Sequence, residues 1–489
     1  MAASAGAGGS AKVKDGMTIS VSTDLSNDVD EHPREAESQP RPSSPGFNIA
    51  DRSLVRRSLG PLTVNGVRHS MLTLTSTALG GGVLAVSYVM HTAGLALGAF
   101  MIVLGGLLAF LSTTALMRMS GETGHNTYAG LFSHCAGRIA GPVLDAMLFI
   151  YGNGSCVGYM VFLGDFIPSL VSLGGEGVPE WLGSRELAII ASACVIAPMA
   201  VQKDIGVLRY IAPVSIVALI YMAITVAVKA PALYKQHEGD PGYGSIRWAI
   251  PSIHVTDAFA VCVFAFNCHL NVLPVAGSMV RPTKARIVKV SYRVNTLQVC
   301  FYSLIGVTGY ISFLAKTPGD IIKVYSAHDT VVIIARVMLS GTMVVAIAIN
   351  LSPTVRSALQ IRDYWRHRDE PFLASPMSSP RGDLEASPTG AGRRAMAESS
   401  GGCRVALTLV CLAVQAGIAI VVPGVADVLG LLGATVATAM MMAIPAYCMG
   451  VVMPKTTKNR VQQAVLYLFS LVSLASVPVK ILTWIKVID

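Results

Sequence analysis

The chain has 489 residues, 53% of them hydrophobic and 13% charged, with a formal charge of +9 and a mean hydropathy of +0.58. A soluble domain carries about 25% charged residues, so this composition excludes an ordinary soluble enzyme, a disordered protein and a nucleic-acid binder built on a basic face. Nine cysteines are too few and too scattered for a disulfide framework.

Residues 1–66 are polar, with stretches such as Glu35-Ala36-Glu37-Ser38-Gln39-Pro40-Arg41-Pro42 that bury too little apolar surface to fold. They are expected to form a disordered tail. No apolar region opens the chain, so the tail is not a secretory signal. The first apolar run begins near Val67 and is expected to serve as the insertion signal.

From there the chain reads as a transporter-sized membrane domain over 67–489. A spanning helix needs about 20 apolar residues. About eleven such runs occur, at 67–90, 94–117, 143–171, 186–202, 207–229, 255–280, 288–314, 329–352, 404–422, 426–452 and 461–485. Cys156, Cys194, Cys262, Cys300 and Cys411 lie inside these runs and read as small buried hydrophobes. No Cys-x-x-Cys or Cys/His cluster suggests a metal site, and no cofactor is expected.

Charge placement orients the runs. Alternate breaks carry Arg52, Arg56 and Arg57, then Arg118 and Arg138, Lys203, the group Arg281, Lys284, Arg286 and Lys289, the group Arg356, Arg362, Arg366 and Arg368, and finally Lys455, Lys458 and Arg460. The other breaks carry no Lys or Arg at 91–94 or 423–426, and elsewhere only Arg185, Lys235, Arg247, Lys316 and Lys323. The positive-inside rule then puts the N-terminus in the cytoplasm. An odd number of spans puts Asp489 outside. The +9 is thus mostly a topology signal, and no nucleic-acid partner is expected. Residues 366–402, with Ser375-Pro376, Ser379-Pro380 and Ser387-Pro388, read as a disordered cytoplasmic insert, either phosphorylated or simply tolerated.

Two runs are interrupted. The first contains Gly80-Gly81-Gly82 in its middle, at a helix cost of about 1 kcal/mol per glycine relative to alanine. A second half-helix starting near Val83 would present a positive N-terminus, suited to a carboxylate. Close helix packing through small residues is the competing reading. The sixth run reads Phe264-Ala265-Phe266-Asn267-Cys268-His269-Leu270-Asn271-Val272-Leu273-Pro274. Its amides and histidine at bilayer depth are costly and point to function, and its proline resists a helix interior. Interrupted segments at corresponding places in two halves mark the midplane site of a secondary transporter. The expectation is an all-α integral membrane protein with 11 transmembrane helices. Helices 1–5 and 6–10 would be inverted repeats of the leucine-transporter type, in the APC superfamily, with one helix appended.

These residues resemble a known family. Gly80-Gly81-Gly82-Val83-Leu84-Ala85-Val86-Ser87-Tyr88 followed by Ala93-Gly94 is similar to the first helix of the amino acid/auxin permease family. Gly121-Glu122-Thr123-Gly124 with Thr127-Tyr128, and Gly164-Asp165-Phe166-Ile167-Pro168, resemble the stretches after its helix 2 and at the end of its helix 3. Phe264-Ala265-Phe266 with His269 and Leu273-Pro274, then Arg281-Pro282-Thr283-Lys284 and Gly309-Tyr310, resemble its helix 6–7 region. The likeness covers about residues 67–355. It implies an amino acid permease with a cytoplasmic N-terminus and proton- or sodium-driven transport. It also implies that unwound backbone holds the substrate: Gly80, Gly81 and Gly82 for the carboxylate, and the carbonyls around Phe266, Asn267 and Cys268 for the ammonium group. Side-chain candidates nearby are Ser76, Thr77, Asn267, Asn153 and Ser155. Hydrogen bonds between helices are the competing reading for Asn153.

The sodium-coupled branch of that family carries an asparagine in helix 1 and a threonine in helix 8. Ser76 and Ala346 stand at those places here. Alanine offers no side-chain oxygen, and a sodium site needs several oxygens, so proton-coupled or sodium-independent transport is expected. His269 is the histidine in the middle of a clear span, and an unperturbed histidine titrates near neutrality; a structural hydrogen bond is its alternative role. Arg336 and Lys480 lie near the ends of runs and are expected to snorkel. Asp145, Asp165, Asp257 and Asp427 lie near helix ends as well. With no carboxylate at mid-depth, a neutral amino acid is favoured over arginine or lysine.

The function expected is secondary active amino acid transport by alternating access. The alternative is a membrane sensor that binds an amino acid and signals through its tails. His-Glu-x-x-His, Gly-x-Ser-x-Gly and the phosphate-binding Gly-x-x-x-x-Gly-Lys-Ser/Thr are missing from the sequence, which argues against an enzyme and an ATP-driven pump. The plasma membrane is the expected location, with an acidic organelle as the alternative.

Overall fold

The computed structural model describes residues 65–177, 179–202, 212–280, 282–366 and 401–484. The tail over 1–64 and most of the Ser/Pro insert, over 367–400, lie outside the described residues. Among the described residues every regular element is helical. The first apolar run forms α1 (Val67–Ala78) and α2 (Gly82–Ala93), bent by 65° at the glycines between them. Next come α3 (Leu95–Thr123), α4 (Tyr128–Ala136), α5 (Ala140–Val171), α6 (Arg185–Val201) and α7 (Ala212–His237). The sixth run splits into α8 (Val255–Ala265), a 3-10 turn over His269–Asn271, and α9 (Val272–Ser278). The remainder is α10 (Lys284–Phe313), α11 (Thr330–Arg366), α12 (Gly401–Val421), α13 (Val425–Leu432), α14 (Ile444–Val452), α15 (Thr457–Leu474) and α16 (Ser476–Trp484).

Local chemistry sets several of these boundaries. Thr127, Ser184, Thr283 and Thr456 each cap a helix start by accepting a backbone N–H with the side-chain oxygen, as N-cap hydroxyls do. Gly94, at φ 89°, makes the joint between α2 and α3. A side chain there would meet the Ala249 backbone at 2.7 Å, so only glycine fits both the dihedral and the space.

Nine described helices are long and apolar enough to cross a membrane, or ten when α1 and α2 count as one bent span. The fourth run yields α6, whose 17 residues fall short of the roughly 20 a crossing needs. The protein is thus a multi-pass membrane protein. Lipid tails are as apolar as the helices, so association rests on close packing and on polar contacts between helices. α5 packs along α11, and α10 lies against α3, α7, α2 and α1. The broken α8–α9 span and the α13–α14 span are the most enclosed of the candidate crossings: 78% and 72% of an 18-residue stretch of each is buried, against 33% for α12. Between α13 and α14 the chain runs through two π-helical turns, Gly433–Ala437 and Ala439–Ala443. Gly433 lies so close to α8 that a Cβ would strike the Ala260 carbonyl.

Both odd cations are buried, contrary to the snorkelling expectation. Arg336 is 1% exposed, and its guanidinium donates to the carbonyls of Ile322 at 2.9 Å and Tyr325 at 2.7 Å. The turn over Ile321–Val324 supplies one of these carbonyls, from Ile322. Lys480 pairs with Asp427 at 3.4 Å and Asp257 at 3.9 Å, joining α16 to α13 and α8. Cys156, Cys262 and Cys411 are buried as expected, whereas Cys194 and Cys300 are exposed.

Candidate functional site

The two chain breaks meet. α1 ends at Ala78, and the chain crosses Leu79, Gly80 and Gly81 before α2 starts at Gly82. The gap is held by short turns: Gly80 N–H donates to the Ala78 carbonyl at 2.9 Å, and Val83 N–H to the Gly80 carbonyl at 3.1 Å. On the other span α8 ends at Ala265, and Phe266, Asn267 and Cys268 lead into the 3-10 turn. A Cβ on Gly82 would lie 2.9 Å from the Ala265 Cα. The two backbones therefore touch at a point that any larger residue would force apart.

Tyr302, from α10, ties the breaks together. Its hydroxyl faces the carbonyls of both Ala78, at 3.0 Å, and Ala265, at 2.8 Å. These are the last turns of two helices, where carbonyls lack intrahelical partners. The Tyr302 ring packs edge-on against Phe266, with centroids 4.9 Å apart. Phe266 in turn fits against the bare faces of Gly105 and Gly106 on α3. From α5, Tyr159 lies over the glycines: a Cβ on Gly81 would sit 2.7 Å from its ring, and one on Gly80 3.1 Å from its hydroxyl. Tyr151, one helical stretch earlier, lies beside the side chains of Asn267 and Ser155.

The expected side chains fall into two groups. Gly80, Gly81, Gly82, Phe266, Asn267, Cys268 and His269 all lie at the paired breaks. Phe266 and His269 are fully buried, with Cys268 at 3% and Asn267 at 9% exposure. His269 Nδ1 lies 3.2 Å from the Asn267 side-chain oxygen, a contact that suits the Nδ1–H tautomer, while Nε2 has no hydrogen-bond partner. Ser155 is buried with its hydroxyl unpartnered. The others have their hydrogen bonds filled within the protein. The Ser76 and Thr77 hydroxyls donate back into their own helix, to the carbonyls of Thr73 and Leu74. Asn153 accepts from Gln415 on α12 at 2.7 Å, a bond between helices, and donates to the Phe149 carbonyl of its own helix.

At the breaks the structure also places Thr75, Tyr151, Tyr159 and Tyr302, which the sequence reading did not single out as candidates. Thr75 rather than its neighbours is the inward residue of α1, 3% exposed with its hydroxyl unpartnered. A helix places adjacent residues about 100° apart, so a one-residue error in register moves the inward side chain.

The arrangement offers two kinds of polar end. Helix C-termini, such as those of α1 and α8, carry partial negative charge, and the N-terminus of α2 carries partial positive charge. A small zwitterion matches that pattern. An apolar groove of about 430 Å³ between α6 and α12 and a cavity of about 460 Å³ beside His237 and Tyr243 lie elsewhere.

Over one end of this region folds the segment between α10 and α11. Its turn Ile321–Val324 packs on α2. Asp320 opens that turn by accepting Ile322 N–H at 3.1 Å. Burial, and then the nearby Asp165 carboxylate, push the Asp320 acid well above the usual carboxylate range. Asp165 itself is paired with Lys323 at 3.1 Å and Arg185 at 3.5 Å.

Comparison with known proteins places this architecture. Residues 63–485 match the family described as transmembrane amino acid transporter protein. A Toxoplasma gondii protein that carries the name amino acid transporter AAT1 is 32% identical over 306 residues, covering 62% of this chain and 42% of that protein. Vacuolar amino acid transporter 6 of Saccharomyces cerevisiae is 27% identical over 66% of this chain and 73% of its own length. Sodium-coupled neutral amino acid transporter 7 of Danio rerio is 26% identical over 55% of this chain and 58% of its own length. The chain spans about half the length of the first curated relatives it matches, 42% and 49% for two of them. The chain belongs to the transmembrane amino acid transporter family, a family of transporters rather than enzymes.

Proposed function

We propose that this member of the transmembrane amino acid transporter family carries an amino acid across a membrane by alternating access, as a secondary active transporter. The observation that carries the reading is the meeting of the two breaks, with Gly82 against Ala265 and one hydroxyl serving the carbonyls of Ala78 and Ala265. The substrate carboxylate docks at Gly80, Gly81 and Gly82, and its ammonium at the carbonyls of Phe266 to Cys268, since half-helix ends attract opposite charge. A neutral amino acid is favoured, because Asp257 and Asp427 are engaged with Lys480 and Asp165 with Arg185 and Lys323.

The coupling ion in this reading is the proton, with His269 as the carrier. Its Nε2 is buried without a partner at the break itself. Sodium coupling, which the name of the Danio rerio relative states for that protein, is disfavoured here by Ala346, whose side chain offers no oxygen. The full reading has eleven crossings, with α6 as the short one, inverted repeats of five helices, a cytoplasmic N-terminus and an extracellular C-terminus. The plasma membrane is its location; the vacuolar relative supports an acidic organelle as the alternative.

The test is flux. Proteoliposomes containing the full chain should accumulate at least one of the twenty labelled amino acids under an imposed pH gradient and without sodium. Binding with no accumulation under any gradient would favour the sensor reading instead.

A further inference from the structure

Gln298 lies on α10 one turn before Tyr302, and it is fully buried. Neither its amide nitrogen nor its amide oxygen has a hydrogen-bond partner. Ser291, Asn295, Gln298 and Tyr302 are spaced four, three and four residues apart, so they form one stripe along the helix. The other three are engaged. Ser291 donates to the Met117 sulfur at 3.7 Å, Asn295 to the Ser291 carbonyl at 2.8 Å, and Tyr302 to the two break carbonyls. Gln298 faces the Cys268 thiol, a weak partner at best. A buried carboxamide without partners is costly, and a native one calls for an explanation.

We infer that Gln298 is the α10 ligand of the substrate's ammonium group. This rests on the transport reading above and adds a residue to it. The amide sits beside Cys268, in the turn that follows the end of α8. In this assignment its oxygen supplies a side-chain acceptor at that turn. An ammonium has three protons to place. A hydrogen bond from a charged donor to an amide oxygen is stronger than a neutral one. Losing it should weaken binding by roughly tenfold to a hundredfold.

A structural role and a ligand role predict opposite signatures. If Gln298 held the fold together, removing its amide would lower stability. An unpartnered amide predicts the reverse, because an apolar side chain of the same length relieves a desolvation cost. The experiment therefore compares the wild-type chain with Gln298→Met and Gln298→Glu in proteoliposomes and in detergent. The probes are the amino acid that the flux panel shows to be transported best and its α-hydroxy acid, which keeps the carboxylate and lacks the ammonium. The Met variant should keep or raise its melting temperature, raise KM for the amino acid at least tenfold, and leave inhibition by the hydroxy acid unchanged. The Glu variant, which retains an oxygen, should hold KM within a few-fold of wild type.

Unchanged KM in the Met variant, or equal weakening of both probes, would overturn the assignment. Should the Met variant fail to fold, loss of affinity in the Glu variant would do so. A wild-type chain that accumulates no amino acid would instead overturn the transport reading, and this inference with it.

Discussion

The Tyr302 hydroxyl lies 2.8 Å from the carbonyl oxygen of Ala265, and the same proton faces the Ala78 carbonyl at 3.0 Å. One side chain from α10 thus closes the ends of two helices that are far apart in sequence. Tyr302→Phe keeps the ring contact with Phe266 and removes the hydroxyl. It removes this donor from the Ala265 carbonyl and from the Ala78 carbonyl, which keeps Gly80 N–H, at a cost of about 1–3 kcal/mol. A lower melting temperature in detergent and at least a tenfold fall in initial uptake are expected. A variant with both unchanged would show that the tie is incidental.

Gly81 has no room for a side chain. The Tyr159 ring would stand 2.7 Å from its Cβ and Phe162 3.2 Å away. Gly81→Val must push both aromatics aside and block approach of a ligand to the backbone. Uptake should vanish while the protein still reaches the membrane, as judged by surface labelling or fractionation. Normal uptake would remove Gly81 from the site.

His269 makes its contact through Nδ1, to Asn267, which leaves Nε2 free to take a proton when the site opens. His269→Gln retains a hydrogen-bonding side chain and loses the titration. If His269 carries the coupling proton, uptake by the variant measured from about pH 5 to 8 should lose most of its pH dependence. An unaltered profile would assign His269 to structure alone.

Asp320 gives a pH effect on stability outside the spans. Its folded acid is raised above the ordinary value, so the folded state holds a proton that the unfolded state releases. Stability should then fall as pH climbs above the unfolded pKa of about 4. Asp320→Asn removes the ionisation and should raise the melting temperature at neutral pH, with the two proteins converging near pH 4. Destabilisation at pH 7 would mean that an ionised Asp320 beside Lys323 and Arg336 is the stable form.

Much of the framework was legible because membranes constrain sequences tightly. Apolar runs locate the helices, and the triple glycine and the Asn267–Pro274 stretch locate the breaks. The partners of the breaks were harder to read. Tyr159 and Tyr302 come from other helices, where an aromatic in an apolar run looks like packing. The polar stripe of Ser291, Asn295, Gln298 and Tyr302 was a signal available in the spacing alone. Of Thr75, Ser76 and Thr77, the helical register buries Thr75, which the sequence alone did not single out. Arg336 and Lys480 looked like interfacial cations, since a sequence does not reveal that a distant turn or a pair of acids will cover them.

The account's central claim is that backbone at the two breaks holds the charged ends of an amino acid. The most direct measurement is a high-resolution structure of the full chain in lipid nanodiscs, bound to the best-transported amino acid. The account predicts the carboxylate within hydrogen-bonding distance of the Gly80–Gly82 backbone and the ammonium at the Phe266–Cys268 carbonyls. Density for the ligand in the groove between α6 and α12, or in the cavity beside His237, with both breaks closed, would contradict it.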